Sequence, residues 1–445
     1  MEKRKDTYSQ AGLAALMMPV LISASFCAAA SEPFLKVDVN ASSQVGGGAT
    51  QSGWNDFNYP GGDVYDVRSR TYEVQSRFAP GGSLTVEIGC GSTSIDDSSQ
   101  KATARDREVP KADTTGFPLS DVYRDFVTGS PNIFVRISGL ATGTAYDLHA
   151  YCYDNSSGKT NVIFRMLDSD ACGVPGRVRT SAGMEFSPNT DVDVCAATVT
   201  AYPAADGTLT FRVSEQANKG ACLCGFTLAK AAGKATDFSV DFGNNTLATL
   251  NDGFAWFVFS GENRNPHSQE FRGIPFAGAN GQLTVTISMD ENPSSSNKFI
   301  YRDRNGNASG DVHMYDYANV FPLYQACRDI IIAQNEPLNV KVEGLLPGAK
   351  FFVSLCPYDW AGGNTYTMTD MTSGTAGASD SVTIPSYLAL SSATKDEDIT
   401  VGLELESDES GTMALRVAPR TGSGVISWLR LKYLPEKSGM VLFFK

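Results

Sequence analysis

The stretch IFVRISGLATGTAYDLHAYCYD, Ile133 to Asp154, decides the fold class, because apolar and polar residues alternate on both sides of a glycine-containing turn. Ile133, Val135 and Ile137 fall on one face of an extended chain, and this period of two is typical of a half-buried β-strand. Gly143 suits the turn, since glycine adopts positive φ without strain. The stretch therefore predicts two strands joined by a tight turn.

The same stretch returns as LNVKVEGLLPGAKFFVSLCPYD, Leu338 to Asp359. Other phrases return in the same order at a spacing of roughly 200 residues, among them GSLTVEI as GQLTVTI and FPLSDVYRDF as FPLYQACRDI. A repeat unit of this size indicates two whole domains rather than a solenoid. We expect domains over residues 33–230 and 237–434, a linker over 231–236 and a C-terminal tail over 435–445.

Turn-forming residues separate the alternating segments, and no long amphipathic helix follows the N-terminal segment. Evenly spaced short strands with turn-rich connections predict an all-β protein made of two tandem β-sandwich domains of the jelly-roll type.

The N-terminal 30 residues have a basic head, an apolar run and small residues at Ala28 and Ala30, which predicts a cleaved signal peptide. The alternative is an uncleaved membrane anchor, and Pro19 argues against it. We expect a secreted or cell-surface protein with no membrane span in the mature chain. The net charge of −13 argues against a nucleic-acid partner, because binding phosphates requires a surplus of Lys and Arg.

Eight of the nine cysteines follow the predicted signal peptide, and an even number in an exported chain predicts disulfides. In the repeat alignment, Cys327 replaces Tyr123 and Cys356 replaces Tyr151. Because both positions change together, we predict that they touch and that Cys327 and Cys356 form a disulfide. The other six cysteines admit fifteen pairings, which stay open.

Three motifs follow one another in the chain: VDFG, then YRDF or CRDI, then the closing strand ISWLRLKYL. This order resembles that of the galactose-binding-like jelly-roll modules of bacterial extracellular proteins. It is similar to malectin-like and carbohydrate-binding-module domains over most of both repeats. The resemblance implies a carbohydrate or glycan polymer as the partner. The stretch RMLDSDACGVPGRVRTSAGMEFSP, which begins at Arg165, and the loop around Asp303 to Tyr317 depart from a compact module, so ligand-facing residues are not carried over from the family.

Aromatic residues near strand ends are the predicted ligand contacts, since sugars lay their apolar faces on such rings and bond to nearby polar groups. The alternative for each of them is a place in the sandwich core. The predicted set is Trp54, Trp256, Trp360, Tyr153 with Asp154, and Tyr358 with Asp359.

Two polar patterns have both a binding and a structural interpretation. Oxygen-bearing residues at Asp303, Asn305, Asn307 and Asp311 would suit calcium, but we favour a solvated turn. The repeated pair Arg124–Asp125 would suit a ligand clamp, but we favour an internal ion pair. We expect no other cofactor.

No catalytic motif stands out around the three histidines, so we expect a protein that is not an enzyme. Paired carboxylates for glycoside hydrolysis can come from any part of a fold, which keeps a polysaccharide-degrading enzyme as one alternative. A structural or adhesive cell-envelope protein is the other.

Overall fold

The computed structural model describes residues 32–41, 50–59, 63–97, 99–107, 110, 115–156, 158–167, 170–215, 220–243, 253–259, 264–290, 294, 296–303, 323, 326–327, 329–359, 363–386, 388, 390 and 393–435. It is built almost wholly of β-strands, as the alternating sequence pattern predicts. The predicted signal peptide, residues 1–30, lies outside the described residues, as does all of the predicted tail except residue 435. None of the helices in the described part of the chain has the length and apolar character that a bilayer crossing requires.

The first repeat folds, in chain order, as β1 (Leu35–Ala41), β2 (Asn55–Tyr59), β3 (Asp63–Val64), β4 (Arg68–Glu73), β5 (Ser83–Gly91), β6 (Ala102–Asp106), α1 (Ser120–Arg124), β7 (Asp125–Gly129), β8 (Asn132–Ser138), β9 (Tyr146–Tyr151), β10 (Lys159–Leu167), β11 (Asp170–Thr180), β12 (Ala196–Ala201), β13 (Leu209–Glu215), β14 (Ala221–Leu223) and β15 (Gly225–Lys230).

The second repeat folds as β16 (Asp237–Gly243), β17 (Ala255–Val258), β18 (His267–Arg272), β19 (Ala279–Ser288), β20 (Phe299–Asp303), β21 (Asp329–Ala333), β22 (Leu338–Leu345), β23 (Lys350–Cys356), β24 (Asn364–Asp370), β25 (Ser379–Ile384), α2 (Asp396–Ile399), β26 (Val401–Glu406), β27 (Met413–Pro419), β28 (Gly424–Ile426) and β29 (Trp428–Leu434).

Both repeats arrange their strands in the same spatial order. The five-stranded sheets read β12-β9-β15-β1-β2 and β26-β23-β29-β16-β17, and the six-stranded sheets read β11-β10-β13-β8-β5-β4 and β25-β24-β27-β22-β19-β18. A smaller sheet completes each repeat, β14-β7-β6-β3 in the first and β28-β21-β20 in the second. The repeated sequence phrases therefore correspond to a repeated topology, although β3 has no counterpart among the described strands of the second repeat.

A five-stranded and a six-stranded sheet pack face to face in each repeat, and the apolar residues of the alternating strands fill the space between them. Val37 and Leu148 come from one sheet of the first repeat, Val86 and Val135 from the other, and all four are at most 1 % exposed. The predicted turn is confirmed at Gly143, whose φ is 73°. It carries the chain from β8 in one sheet to β9 in the other.

Candidate functional site

The two predicted tyrosine contacts lie inside the sandwiches. Tyr153 and Tyr358 are each 1 % exposed, so neither ring presents a face on which a sugar could lie. The Tyr153 hydroxyl donates to Asn155 Oδ1 at 2.9 Å, and the Tyr358 hydroxyl donates to the Leu388 carbonyl oxygen at 2.6 Å. The structure thus corrects the sequence interpretation for both: they are core aromatic residues with satisfied hydroxyl groups.

Asp154 is also buried and already neutralised. Its carboxylate lies 3.1 Å from Arg107 Nε and 3.4 Å from Lys159 Nζ, and it accepts hydrogen bonds from the backbone and hydroxyl of Ser156. Burial acts to raise the pKa of Asp154, but the Ser156 hydrogen bonds and the two cations outweigh it and lower the pKa. Asp359, its counterpart in the second repeat, is half-buried.

The three tryptophans predicted to contact a ligand differ in where they lie. Trp54 is half-buried in the first sandwich, with its ring centroid 5.5 Å from that of Tyr151. Trp256 is half-buried against a small apolar cluster on the first repeat that includes Phe134 and Met166. Trp360 lies outside the described residues.

The predicted calcium ligands cannot be assembled from the described residues. Asn305, Asn307 and Asp311 lie outside them, and Asp303 is described only by its backbone, as the last residue of β20. Within the described part of the chain, no group of three His, Cys, Asp or Glu side chains has a spacing suited to a metal ion. Calcium at these positions stays a prediction.

The contact inferred from the paired Tyr and Cys positions is present in both repeats. The rings of Tyr123 and Tyr151 meet edge to face, with centroids 5.7 Å apart. In the second repeat, Cys327 Sγ lies 4.0 Å from Cys356 Sγ, and both residues are fully buried. The two sulfur atoms are not bonded in this structure, so the disulfide itself stays a prediction.

The repeated Arg–Asp pair is structural, but its partners differ from the expected ones. Arg124 donates to both oxygens of Asp106, at 3.0 and 2.8 Å, and not to its neighbour Asp125. Asp125 is fully buried opposite Asp106 on the adjacent strand, and burial, followed by the charge of Asp106, raises its pKa to about 8. Asp303 and Asp329 face each other in the same register in the second repeat.

A cavity of about 220 Å³ in the first repeat brings together polar groups that the sequence patterns did not single out. It lies beside the six-stranded sheet, where β8, β10 and β13 are neighbours. The residues that line it include Phe134, Arg136, Arg165, Thr208, Thr210 and Asp206. Phe134 and Arg165 are at most 3 % exposed, so the accessible polar side chains are those of the other four.

The two arginines of this cavity differ in their bonding. All three side-chain nitrogens of Arg136 donate hydrogen bonds to carboxylates: Nε to Glu87 at 2.6 Å, and Nη1 and Nη2 to Asp96 at 3.0 and 3.2 Å. Arg165 is only 3 % exposed, and its Nε and Nη1 have no hydrogen-bond partner among the described residues. Its Nη2 makes one long contact, 3.5 Å, with the Tyr202 carbonyl oxygen. A buried guanidinium with so few partners is unusual, because its desolvation is normally offset by an acid or by several acceptors.

A second cavity, of about 530 Å³, borders the first described residues, Glu32 and Pro33. Its aromatic residues Phe34 and Phe78 stack on each other, with ring centroids 4.1 Å apart and planes within 6°. Since each ring already covers one face of the other, this cavity is a weaker candidate than the one lined by Thr208, Thr210 and Asp206.

The sequence did contain one signal of the Arg165 site. Arg165 is the first residue of the segment that departs from a compact version of the module, and it has no arginine counterpart in the second repeat. By strand register, Arg165 faces Phe211, while the equivalent Leu415 is faced by Asp370. The change from a cation to an acid distinguishes the two repeats at this place.

No protein-family model matches this chain, and no curated protein matches its sequence. A xanthan lyase structure from Paenibacillus aligns over 83 % of this chain and 25 % of its own, with 11 % identity and a TM-score of 0.22. A calcium-binding mutant of Bacteroides uniformis β-glucuronidase 2 aligns over 69 % and 28 % of the two chains, with 9 % identity and a TM-score of 0.26. This chain thus spans only about a quarter of the length of these two enzymes.

A further match has nearly the same extent as this chain. The N-terminal CBM22-1-CBM22-2 tandem domain of Xyn10C from Paenibacillus barcinonensis aligns over 90 % of this chain and 98 % of its own, with 10 % identity and a TM-score of 0.19. A tandem of carbohydrate-binding modules is therefore among the similar structures, in agreement with the resemblance stated from the sequence. Identities and TM-scores this low transfer no ligand or activity to this chain.

Proposed function

We propose that this chain is an exported, non-catalytic carbohydrate-binding protein that holds one sugar unit of a glycan in the cavity of its first sandwich. The observation that carries the proposal is the set of hydrogen-bonding residues around that cavity: Thr208, Thr210, Asp206 and Arg136. A sugar carries several hydroxyl groups, and its binding sites contain a few oriented hydrogen-bonding groups of this kind.

The size of the cavity limits what it can hold. About 220 Å³ is below the range of about 300–1,000 Å³ that is usual for pockets holding drug-sized ligands. A single sugar unit would enter, while the rest of a polymer would lie outside along the surface. The affinity of one such site for a single sugar unit is modest, so binding to a polymer would depend on the many equivalent sugar units that the polymer offers.

Affinity electrophoresis of the purified protein in gels containing a panel of plant, algal and bacterial polysaccharides tests the proposal. We expect retardation by at least one polysaccharide, with no release of reducing ends from it. Absence of binding to any glycan, together with self-association, would favour a structural or adhesive envelope protein. Release of reducing ends would instead support a polysaccharide-degrading enzyme.

A further inference from the structure

We infer that Trp256, from the second repeat, is a positioning residue for the cavity of the first repeat, so that the two sandwiches form one glycan-binding unit. This inference rests on the proposed function and names what holds its site in shape. An apolar cluster links Trp256 to the cavity, and its members, all at most 4 % exposed, are Ile95, Phe134, Val162, Phe164 and Met166. Trp256 packs against this cluster, and Ile95, Phe134 and Met166 also line the cavity.

The cluster lies on the outer face of the six-stranded sheet of the first repeat. Ile163 belongs to the core between the two sheets, and successive residues of a strand point to opposite faces, so its neighbour Phe164 points outwards. Phe134 shares this face, because both rings stand opposite Arg212 in the strand register. Apolar side chains on an outer face stay out of water only if something covers them, and Trp256 is one of the two half-buried hydrophobic residues that pack on this cluster.

The second sandwich is polar at the equivalent positions. There, Asn339 and Thr369 stand opposite Arg416, in place of the two phenylalanines that stand opposite Arg212 in the first sandwich. The outer face is thus apolar in the sandwich that receives Trp256 and polar in the sandwich that supplies it. This difference indicates that the apolar face serves the contact between the repeats and is not a general feature of the module.

Both repeats contribute to this contact. Val174 on β11 of the first repeat packs against the core of the second, and β11 lies against β17 and β18. The predicted linker is hydrogen-bonded to each sandwich: the N–H of Ala231 donates to the Ala145 carbonyl oxygen at 2.9 Å, and the N–H of Ala235 donates to the Pro275 carbonyl oxygen at 2.7 Å. The two sandwiches are therefore joined by packing as well as by the chain, and the place of one depends on the other.

The position of the cluster matters for the hydrogen-bonding groups of the cavity. Thr210 stands opposite Met166 on one neighbouring strand and opposite Arg136 on the other. Removal of the Trp256 ring would leave a void that the cluster fills only by moving, and close-packed groups transmit such movement to their neighbours. The cavity would then lose the preorganisation that lets a few hydrogen bonds hold a sugar.

Affinity electrophoresis of the full chain at increasing polysaccharide concentration tests this role, with xylan, mixed-linkage β-glucan, galactomannan and alginate among the polymers. For a polymer that retards the wild type, we expect Trp256→Ala to weaken binding by at least about fivefold, the factor that corresponds to the cost of ordering one side chain on binding. Trp256→Phe should recover most of the affinity. Leu403→Ala is the matched control: it removes a half-buried side chain from β26, at the opposite edge of the sheet that contains β17, and should lower stability without changing the affinity.

A double-mutant cycle separates support of the cavity wall from direct contact with the sugar, the role that the sequence predicts for Trp256. If Trp256 acts through the cluster, Met166→Ala already loosens the wall, so that adding Trp256→Ala should cost less affinity than Trp256→Ala costs alone. Additive losses would show that Trp256 acts independently of the wall and would overturn the inference.

The remaining outcomes separate the inference from the proposed function. An unchanged affinity in a folded Trp256→Ala variant, or an equal loss in Leu403→Ala, overturns the inference and leaves carbohydrate binding intact. If Trp256→Ala does not fold, Val174→Ala loosens the same contact from the first repeat and should also weaken binding; an unchanged affinity in that variant overturns the inference. Absence of retardation of the wild type by every polysaccharide overturns the proposed function, and the inference with it.

Discussion

Asp106 and Asp125 stand directly opposite each other on adjacent strands, and Arg124 donates from Nε and Nη2 to Asp106 but not to Asp125. Two like charges at directly opposed positions of a sheet repel each other. The buried Asp125 avoids this repulsion by retaining its proton: burial and the charge of Asp106 raise its pKa to about 8. In the first repeat this motif is thus a framework element in which one acid is ion-paired and its neighbour keeps its proton.

This arrangement predicts that the protein loses stability as the pH rises. The pKa of Asp125 is higher in the folded state than in the unfolded chain, so its contribution is fully present below about pH 4 and is lost as the pH rises through about 8. Asp38, whose pKa is raised to about 7 by burial, acts in the same direction. From Asp125 alone, the free energy of unfolding should fall by about 4 kcal/mol between pH 5 and pH 9.

Urea unfolding at pH 5, 7 and 9 measures this effect. Asp125→Asn, which mimics the neutral acid, should flatten the pH dependence, whereas Asp237→Asn, at an exposed carboxylate on β16, should leave it unchanged. The same slope in the wild type and in Asp125→Asn would show that Asp125 is ionised in the folded protein.

Removing the cation of this cluster should destabilise the first sandwich. Asp106 has a side chain only 3 % exposed, so Arg124→Met leaves a buried carboxylate without its bidentate partner. We expect a loss of about 3 kcal/mol in the free energy of unfolding at pH 7. Arg70→Met breaks the exposed pair with Asp56 and should cost less than about 1 kcal/mol. Equal losses in the two variants would contradict the structural role assigned to Arg124.

The strands and the repeat could be predicted from the sequence because they depend on local periodicity and on comparison of the chain with itself. Contact between positions 123 and 151 also followed from the sequence, since both change together between the repeats. The environment of Tyr153 could not be predicted from the sequence, because Phe186, from a distant loop, packs against its ring with centroids 5.1 Å apart. The scarcity of partners for Arg165 among the described residues was equally hidden, because it depends on which strands become neighbours and no local pattern records that.

We predict that the buried cysteine pair of the second sandwich forms a disulfide in the exported protein. Cys327 Sγ and Cys356 Sγ are 4.0 Å apart and are separated by 29 positions in the chain. A disulfide closing a loop of this length should stabilise the fold by about 3 kcal/mol. Mass spectrometry of an unreduced digest should find the two cysteine peptides linked, and reductant should remove the stability advantage over a Cys327→Ser, Cys356→Ser double variant. Recovery of both thiols in free form from oxidised, folded protein would count against the pairing.

Variants of Trp54 test whether this half-buried aromatic residue has a structural or a ligand-binding role. Its ring packs edge to face on Tyr151, and an atom of the ring lies within 3.4 Å of the place that a Cβ at Gly225 would occupy. Trp54→Ala should therefore lower the free energy of unfolding by about 2 kcal/mol, less than for a fully buried tryptophan because the ring is half exposed. Glycan affinity should not change, since the ring packs against the core cluster of the first repeat and is not part of the cavity wall. Trp54→Phe should recover most of the stability, whereas a folded Trp54→Ala variant with weakened glycan binding would return this residue to the ligand site that the sequence predicted.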